Sequence, residues 1–151
     1  FDRDFFVENK SGKVVLKGTS KWCVVDATTR RLAKMQQLKL PVAEQMERAF
    51  DQKFLKTEAF VPDFAPDYVY GVSATDIDAN GHMNNSVYAK IVFDALGGNK
   101  KAIKTFQLNF LKEAFCGQRI DVFCKKVEAG VLIVGKKCER ENSFSAFVTF
   151  E

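Results

Sequence analysis

One apolar helix pattern in the middle of the chain limits the fold more than any other feature. Its apolar residues recur at helical spacing and cover most of a helix surface: Val87, Tyr88, Ile91, Val92, Ala95 and Leu96. Gly97 and Gly98 follow and are predicted to end the helix. Because such a helix is apolar on nearly every side, the remaining chain has to cover more than one of its faces.

Strand patterns fill most of the chain around this helix. Apolar and polar residues alternate over 68–75 before the helix, and four more strands are predicted over 103–113, 119–127, 131–139 and 144–151. The connections between these strands are short and contain Gly or Asn. We therefore expect an α+β fold in which a long antiparallel sheet wraps around one central helix.

The first third of the chain predicts a different unit. Phe5 and Val7, a turn signal at 9–12 and a second apolar run over 14–25 are typical of a β-hairpin, which turn-forming residues close at 26–29. From Pro41 the apolar spacing becomes helical. Residues 56–67 show no clear period and are predicted to be a linker.

Composition excludes several classes of function. His82 is the single histidine, so zinc sites that need two or three imidazoles are excluded. The net charge is only +4 and no long run of like charge occurs, so we expect no nucleic-acid partner. No apolar stretch is long enough for a membrane span. The four cysteines form no CxxC pair, which favours a reducing, cytoplasmic location.

The connection between the first of these strands and the helix is rich in polar residues. Asn84 or Asn85 can cap the helix, which is an ordinary structural use of such residues. A cap needs only one oxygen acceptor, however, so it does not explain His82 or the preceding Asp78 and Asn80 at alternate positions. We interpret this cluster as a candidate site.

This cluster, with Tyr88 three residues later, resembles the DxNxHxNN signature of acyl-acyl-carrier-protein thioesterases, which consist of two tandem hot-dog folds. Upstream, Arg3-x-Phe5, Thr19-Ser20-x-Trp22 and the segment 25–31 are similar to the closing strands of that family's first hot dog. The resemblance implies closing strands of an incomplete N-terminal hot dog over 1–33, a helix and linker over 34–66, and a complete C-terminal hot dog over 67–151. Two alternatives stay open for the incomplete N-terminal unit: a truncated polypeptide, or further residues N-terminal to Phe1.

The resemblance also implies catalytic residues. In the family, the Asp, Asn and His of the signature, here Asp78, Asn80 and His82, work with an acidic residue after the next strand, here Glu113. Ala114 stands where many relatives have Cys. A thioester has a good leaving group, so a carboxylate that acts on water, or attacks directly, can suffice. Asn80 would bind the carbonyl, His82 would orient water or protonate the thiolate, and Asp78 would fix the loop.

The implied function is hydrolysis of fatty acyl-acyl-carrier-protein (acyl-ACP) thioesters to free fatty acid and carrier protein, which ends fatty acid synthesis. Asn84, Asn85 and Tyr88 would then contact the substrate. The implied partner is a carrier protein with an acyl-phosphopantetheine arm, with no metal and no cofactor, and a homodimer is left open. Two alternatives stay open: a single-hot-dog acyl-CoA thioesterase, and a non-catalytic hot-dog module that binds acyl thioesters.

Overall fold

The structure is a computed structural model that describes residues 2–26, 28–29, 31–33, 48–50, 57, 60–98, 101–138 and 141–151. The chain divides into two compact units, Phe1–Phe54 and Leu55–Glu151. The helix predicted from Pro41 lies outside the described residues except at 48–50, which are not helical. The assignment of 1–33 to an incomplete hot dog, 34–66 to a connection and 67–151 to a complete one stays a prediction.

The N-terminal unit contains the predicted hairpin. Strands β1 (Asp2–Glu8) and β2 (Val14–Lys21) pair antiparallel. Asn9 shapes the turn between them, because its side-chain oxygen accepts from the backbone N–H groups of Ser11 and Lys13, both at 3.0 Å. Asp26 shapes the next turn by accepting from the Thr29 N–H at 2.6 Å. The predicted hairpin and turn are therefore confirmed, but β2 ends at Lys21 and not at the predicted residue 25.

The C-terminal unit consists of one sheet and one α-helix within the described residues. Its elements are β3 (Tyr68–Gly71), α1 (Asn85–Ala95), β4 (Ile103–Phe110), β5 (Arg119–Val127), β6 (Gly130–Cys138) and β7 (Glu141–Phe150). The strands are ordered β3-β5-β6-β7-β4, and every neighbouring pair is antiparallel. The predicted α+β class is confirmed. No helix in the described ranges is long and apolar enough to cross a membrane.

Helix α1 supplies the centre of the core. Tyr88, Ile91 and Val92 are buried on it, and Val87, Ala95 and Leu96 are partly buried. The sheet meets the helix with alternate residues of β5, β6 and β7, because successive strand side chains point to opposite faces: Ile120, Val122, Ile133, Phe144, Ala146 and Val148. The buried residues of the helix recur at i, i+3 and i+4 and so share one face, whereas Ser86, Lys90, Phe93 and Asp94 on the other side are exposed. The predicted burial of the helix on more than one side is therefore wrong within the described residues.

Two strands of the C-terminal unit, β3 and β4, end at least three residues earlier than their alternation predicts. β3 stops at Gly71, and a 3-10 helix, Ala74–Asp76, replaces the rest of the predicted strand. The carboxylate of Asp76 accepts from the Ser73 N–H at 2.8 Å and from the Ser73 hydroxyl at 2.9 Å, which turns the backbone out of the sheet. β4 stops at Phe110 instead of continuing to Glu113. Both early ends lead into the candidate site.

A glycine on β6 makes room for the largest fully buried side chain. Gly135 pairs with Phe144 of β7, and a Cβ atom at residue 135 would overlap the Phe144 ring. The Phe144 ring packs edge to face against Tyr88 of α1, with ring centroids 5.7 Å apart. Gly135 therefore allows the sheet and the helix to meet through two aromatic rings.

We expect Gly135→Ala to lower the free energy of unfolding by about 2–3 kcal/mol, because the added methyl group overpacks the core. Gly71→Ala is the matched control, since a Cβ atom there meets nothing within 4 Å, and its effect should stay within about 0.5 kcal/mol. Urea unfolding followed by circular dichroism measures both. Equal losses in the two variants would contradict this account of the core.

Candidate active site

The polar segment between β3 and α1 is a closed loop. The Asn84 N–H donates to the Asp76 carbonyl at 2.9 Å, which ties the two ends together. Between these two ends, the Asp78 N–H donates to the His82 carbonyl at 3.0 Å. Gly81 turns the chain with a φ of +83°, a conformation that favours glycine. These contacts hold the residues between Asp76 and Asn84 as one compact loop.

Asp78 fixes the tip of this loop. Its side-chain oxygen accepts from the Asn80 N–H at 2.8 Å, and its carbonyl accepts from the Gly81 N–H at 3.0 Å. The Asn80 residue is exposed. The contact explains locally how Asp78 can shape the loop, as expected from the sequence. The catalytic roles of Asp78 and Asn80 stay predictions.

Asp76 anchors the loop, and the sequence interpretation missed it. Burial tends to raise the pKa of this carboxyl, but hydrogen bonds from the Ser73 N–H, the Ser73 hydroxyl and the Tyr70 hydroxyl (3.0 Å) outweigh burial and lower it. Burial, followed by this bond to Asp76, raises the pKa of Tyr70. The spacing Ser73-x-x-Asp76 could have revealed the anchor, because an acidic residue three positions after Ser is typical of a helix start.

Asn84 begins α1 as its N-cap. Its side-chain oxygen accepts from the Ser86 N–H at 2.9 Å and from the Ser86 hydroxyl at 2.7 Å, which confirms the predicted cap. Asn85 is the first helical residue and is exposed. The Asn84 side-chain oxygen and the Ser86 N–H are therefore already hydrogen-bonded to each other in the cap. Substrate contacts of Asn84 and Asn85 stay predictions.

The segment that carries Glu113 leaves the sheet at a local irregularity. The N–H groups of Leu111 and Lys112 both donate to the Ser143 carbonyl, at 2.9 and 3.0 Å. The Ser143 hydroxyl donates to the Lys112 carbonyl at 2.9 Å. Because two successive amides share one acceptor, the regular ladder cannot continue to Glu113. This is the reason that β4 ends before the predicted residue.

One backbone contact joins the loop to this segment. The Met83 N–H donates to the Ala114 carbonyl at 2.7 Å, and both residues are buried. Their preceding neighbours, His82 and Glu113, consequently face each other, with His82 Nε2 3.8 Å from Glu113 Oε1. The His82 side chain is 28% exposed and that of Glu113 is 64% exposed. The structure thus brings together two candidate residues that are 31 positions apart in the sequence.

No thiol occupies the position beside Glu113. Ala114 is fully buried and belongs to the core, whereas Cys116 is exposed in the following turn. Among the described residues, no hydrogen bond joins His82 to Cys116. In the same part of the chain, no three His, Cys, Asp or Glu side chains lie close enough together to hold a metal ion. The chemical groups that meet at this site are an imidazole and a carboxylate.

Tyr88 lies below the site as part of the core. It is 2% exposed, its hydroxyl donates to the Lys112 carbonyl at 3.5 Å, and its ring packs edge to face on Phe110. Phe110 is the last residue of β4, and Lys112 lies in the segment that follows it and leads to Glu113. In this structure Tyr88 supports that segment from the interior, and its predicted contact with substrate stays a prediction.

Comparison with known families identifies the chain. The family model of the acyl-ACP thioesterase C-terminal domain matches residues 65–146, which is more than half of the sequence. The chain therefore belongs to this family. The match includes the polar loop, α1 and the Glu113 segment. A comparison with curated proteins found no match.

Solved structures agree on the fold. The chain is similar to an acyl-ACP thioesterase from Bacteroides thetaiotaomicron, at 23% identity with a TM-score of 0.67, and to a 12:0-ACP thioesterase from Umbellularia californica, at 22% with a TM-score of 0.70. Each similarity covers 99% of this chain and 62% or 60% of the other, so the chain spans about three fifths of their length. A Staphylococcus aureus protein in complex with CoA matches 56% of this chain and 72% of its own, at 16% identity with a TM-score of 0.50. The predicted hot-dog fold is confirmed.

The lowered pKa of Asp76 predicts a pH-dependent effect of Asp76→Asn. The folded pKa lies below the ordinary value of 3.8, so the carboxylate stabilises the fold fully above that value, and this stabilisation is lost as pH falls through the folded pKa. At pH 7 the substitution should lower the free energy of unfolding by about 1–2 kcal/mol, which is the scale of the loss of a capping side chain. Urea unfolding of both proteins between pH 7 and pH 2 should show the difference shrinking in acid. A difference that is independent of pH would contradict the anchoring role.

Proposed function

We propose that the protein hydrolyses fatty acyl-ACP thioesters to free fatty acid and carrier protein, which ends fatty acid synthesis. Family membership supports this proposal. The observation that carries it is the approach of His82 to Glu113 to within 3.8 Å, on two segments that the core holds together. A carboxylate close to an imidazole suits thioester hydrolysis, because one group can take a proton from water and the other can deliver a proton to the leaving thiolate.

Glu113 is proposed as the general base. Its exposed carboxylate can accept a proton from water while the water oxygen attacks the thioester carbonyl carbon. The negative charge then moves to the carbonyl oxygen, where the Asn80 amide N–H groups are proposed to donate. The Ser86 N–H at the start of α1 already donates to the Asn84 side chain, so it is not free to bind this oxygen.

His82 is proposed to complete the proton transfer. As the carbonyl re-forms, the carbon–sulfur bond breaks, and the thiolate of the phosphopantetheine arm leaves. The proton taken up by Glu113 reaches this thiolate through His82, whose Nε2 faces the carboxylate. Asp78 holds the loop that carries Asn80 and His82. Water is consumed, and a free acid and a thiol are released.

The wider assignment rests on the same family. We infer that 67–151 is a complete C-terminal hot dog, that 34–66 connects it to an incomplete N-terminal one over 1–33, and that the protein acts in the cytoplasm on acyl carrier protein. Asn84, Asn85 and Tyr88 are proposed to lie along the acyl-phosphopantetheine path. Their place in the structure supports this, because Asn84 caps the helix directly after the polar loop, and Asn85 and Tyr88 lie in the first turn or so of that helix.

Glu113→Gln should lower kcat for acyl-ACP by at least about 100-fold, because it removes the base but keeps the shape of the side chain. Glu128→Gln, on the exposed turn between β5 and β6, is the matched control and should keep full activity. Circular dichroism establishes that both variants fold. Full activity in Glu113→Gln would refute the assignment of the base. Binding of acyl thioester without hydrolysis by the unmodified protein would instead support the non-catalytic module.

An acyl-CoA thioesterase is the second candidate, and the similarity to the CoA-bound Staphylococcus aureus structure favours considering it. The two candidates differ in the group that carries the same acyl chain. We expect kcat/KM to be at least about tenfold higher for acyl-ACP than for the matching acyl-CoA, because protein contacts add to the binding of the transition state. A preference for acyl-CoA would assign the protein to the second candidate.

A further inference from the structure

Lys137 is an unusually enclosed lysine close to the candidate site. It lies near the end of β6, and its side chain is only 11% exposed. An ammonium group is costly to bury unless its charge and its donors find partners. Lys137 has two: Nζ donates to the Glu113 carbonyl at 2.7 Å and lies 3.0 Å from Glu141 Oε2.

With the contact to Glu113, three successive backbone carbonyls of this segment each accept a hydrogen bond from another part of the chain. The Lys112 carbonyl accepts from the Ser143 hydroxyl at 2.9 Å, and the Ala114 carbonyl accepts from the Met83 N–H at 2.7 Å. The carbonyl between them, that of Glu113 itself, is the one held by Lys137. Three successive peptide groups are therefore fixed from three different parts of the chain.

The side chain of Glu113 does not receive comparable support. It is 64% exposed, so packing against neighbours constrains it little. A carboxylate in this situation takes its position mainly from its own backbone. The distance of 3.8 Å between Glu113 and His82 consequently depends on the contacts that hold residue 113, and Lys137 supplies the only side-chain bond to that residue's carbonyl among the described residues.

We propose that Lys137 is a positioning residue that holds the backbone of Glu113 in place for catalysis, and that Glu141 orients Lys137 through their ion pair. The inference rests on the proposed function of Glu113. It adds a role for two residues of the β6–β7 hairpin that contribute no reacting group. Small displacements of a catalytic group cause large losses in rate, so such a contact affects turnover more than substrate binding.

The kinetic test compares Lys137→Met with Lys126→Met, a matched loss of one exposed lysine from the neighbouring strand β5. Lys137→Met should lower kcat about 10- to 100-fold with KM nearly unchanged. The kcat and KM of Lys126→Met should equal those of the unmodified protein. Lys137→Arg should recover part of the lost kcat, and Glu141→Gln should cause an intermediate loss because the bond to Glu113 stays. An unchanged kcat in Lys137→Met overturns the proposal.

Amide hydrogen exchange tests the same role without hydrolysis. In Lys137→Met, the amides of Leu111, Lys112 and Met83 should exchange faster, because the segment they hold has lost one anchor. The amides of the β5–β6 ladder should exchange as before, which shows that the fold is intact. Unchanged exchange at the three amides overturns the positioning role. If the unmodified protein hydrolyses no thioester, the proposed function fails, and the exchange data alone decide the role of Lys137.

Discussion

The site depends on the hydrogen bond from the Met83 N–H to the Ala114 carbonyl. It is a short contact between two buried residues, so water cannot easily replace it. Each partner follows directly after a candidate catalytic residue, His82 or Glu113. The bond therefore holds the backbone of the loop next to the backbone of the Glu113 segment, which places the His82 imidazole near the Glu113 carboxylate. Two further contacts keep its partners in place. The Asp76 carbonyl accepts from the Asn84 N–H and closes the loop, and the Ser143 hydroxyl donates to the Lys112 carbonyl on the other segment.

This arrangement also explains how the site can do without a thiol. The position beside Glu113 faces the core, where Ala114 is fully buried. A buried thiol is a poor nucleophile, as Cys124 illustrates: burial, with a smaller contribution from the Asp67 charge, raises its pKa to about 11. In the proposed mechanism the exposed Glu113 carboxylate acts on water instead, so no thiol is needed.

The sequence predicts the regular elements well, since their signals are local. The apolar spacing of Tyr88, Ile91 and Val92 predicts α1, and Asn84 caps it as expected. The early end of β4 could not be predicted, because the Ser143 carbonyl that causes it comes from a strand more than 30 residues away. Lys137 was missed for the same reason: its contact with Glu113 joins residues 24 positions apart. Asp76 was missed although its signal is local, because the alternation over 68–75 favours a strand.

The central claim is that His82 and Glu113 act as one unit on a thioester. The most direct measurement is a double-mutant cycle of kcat for acyl-ACP with His82→Ala, Glu113→Gln and the double variant. Groups that act together lose their function together, so the double variant should lie within about threefold of the more damaging single variant. Losses that multiply, with each substitution exerting its full effect in the presence of the other, would contradict the account.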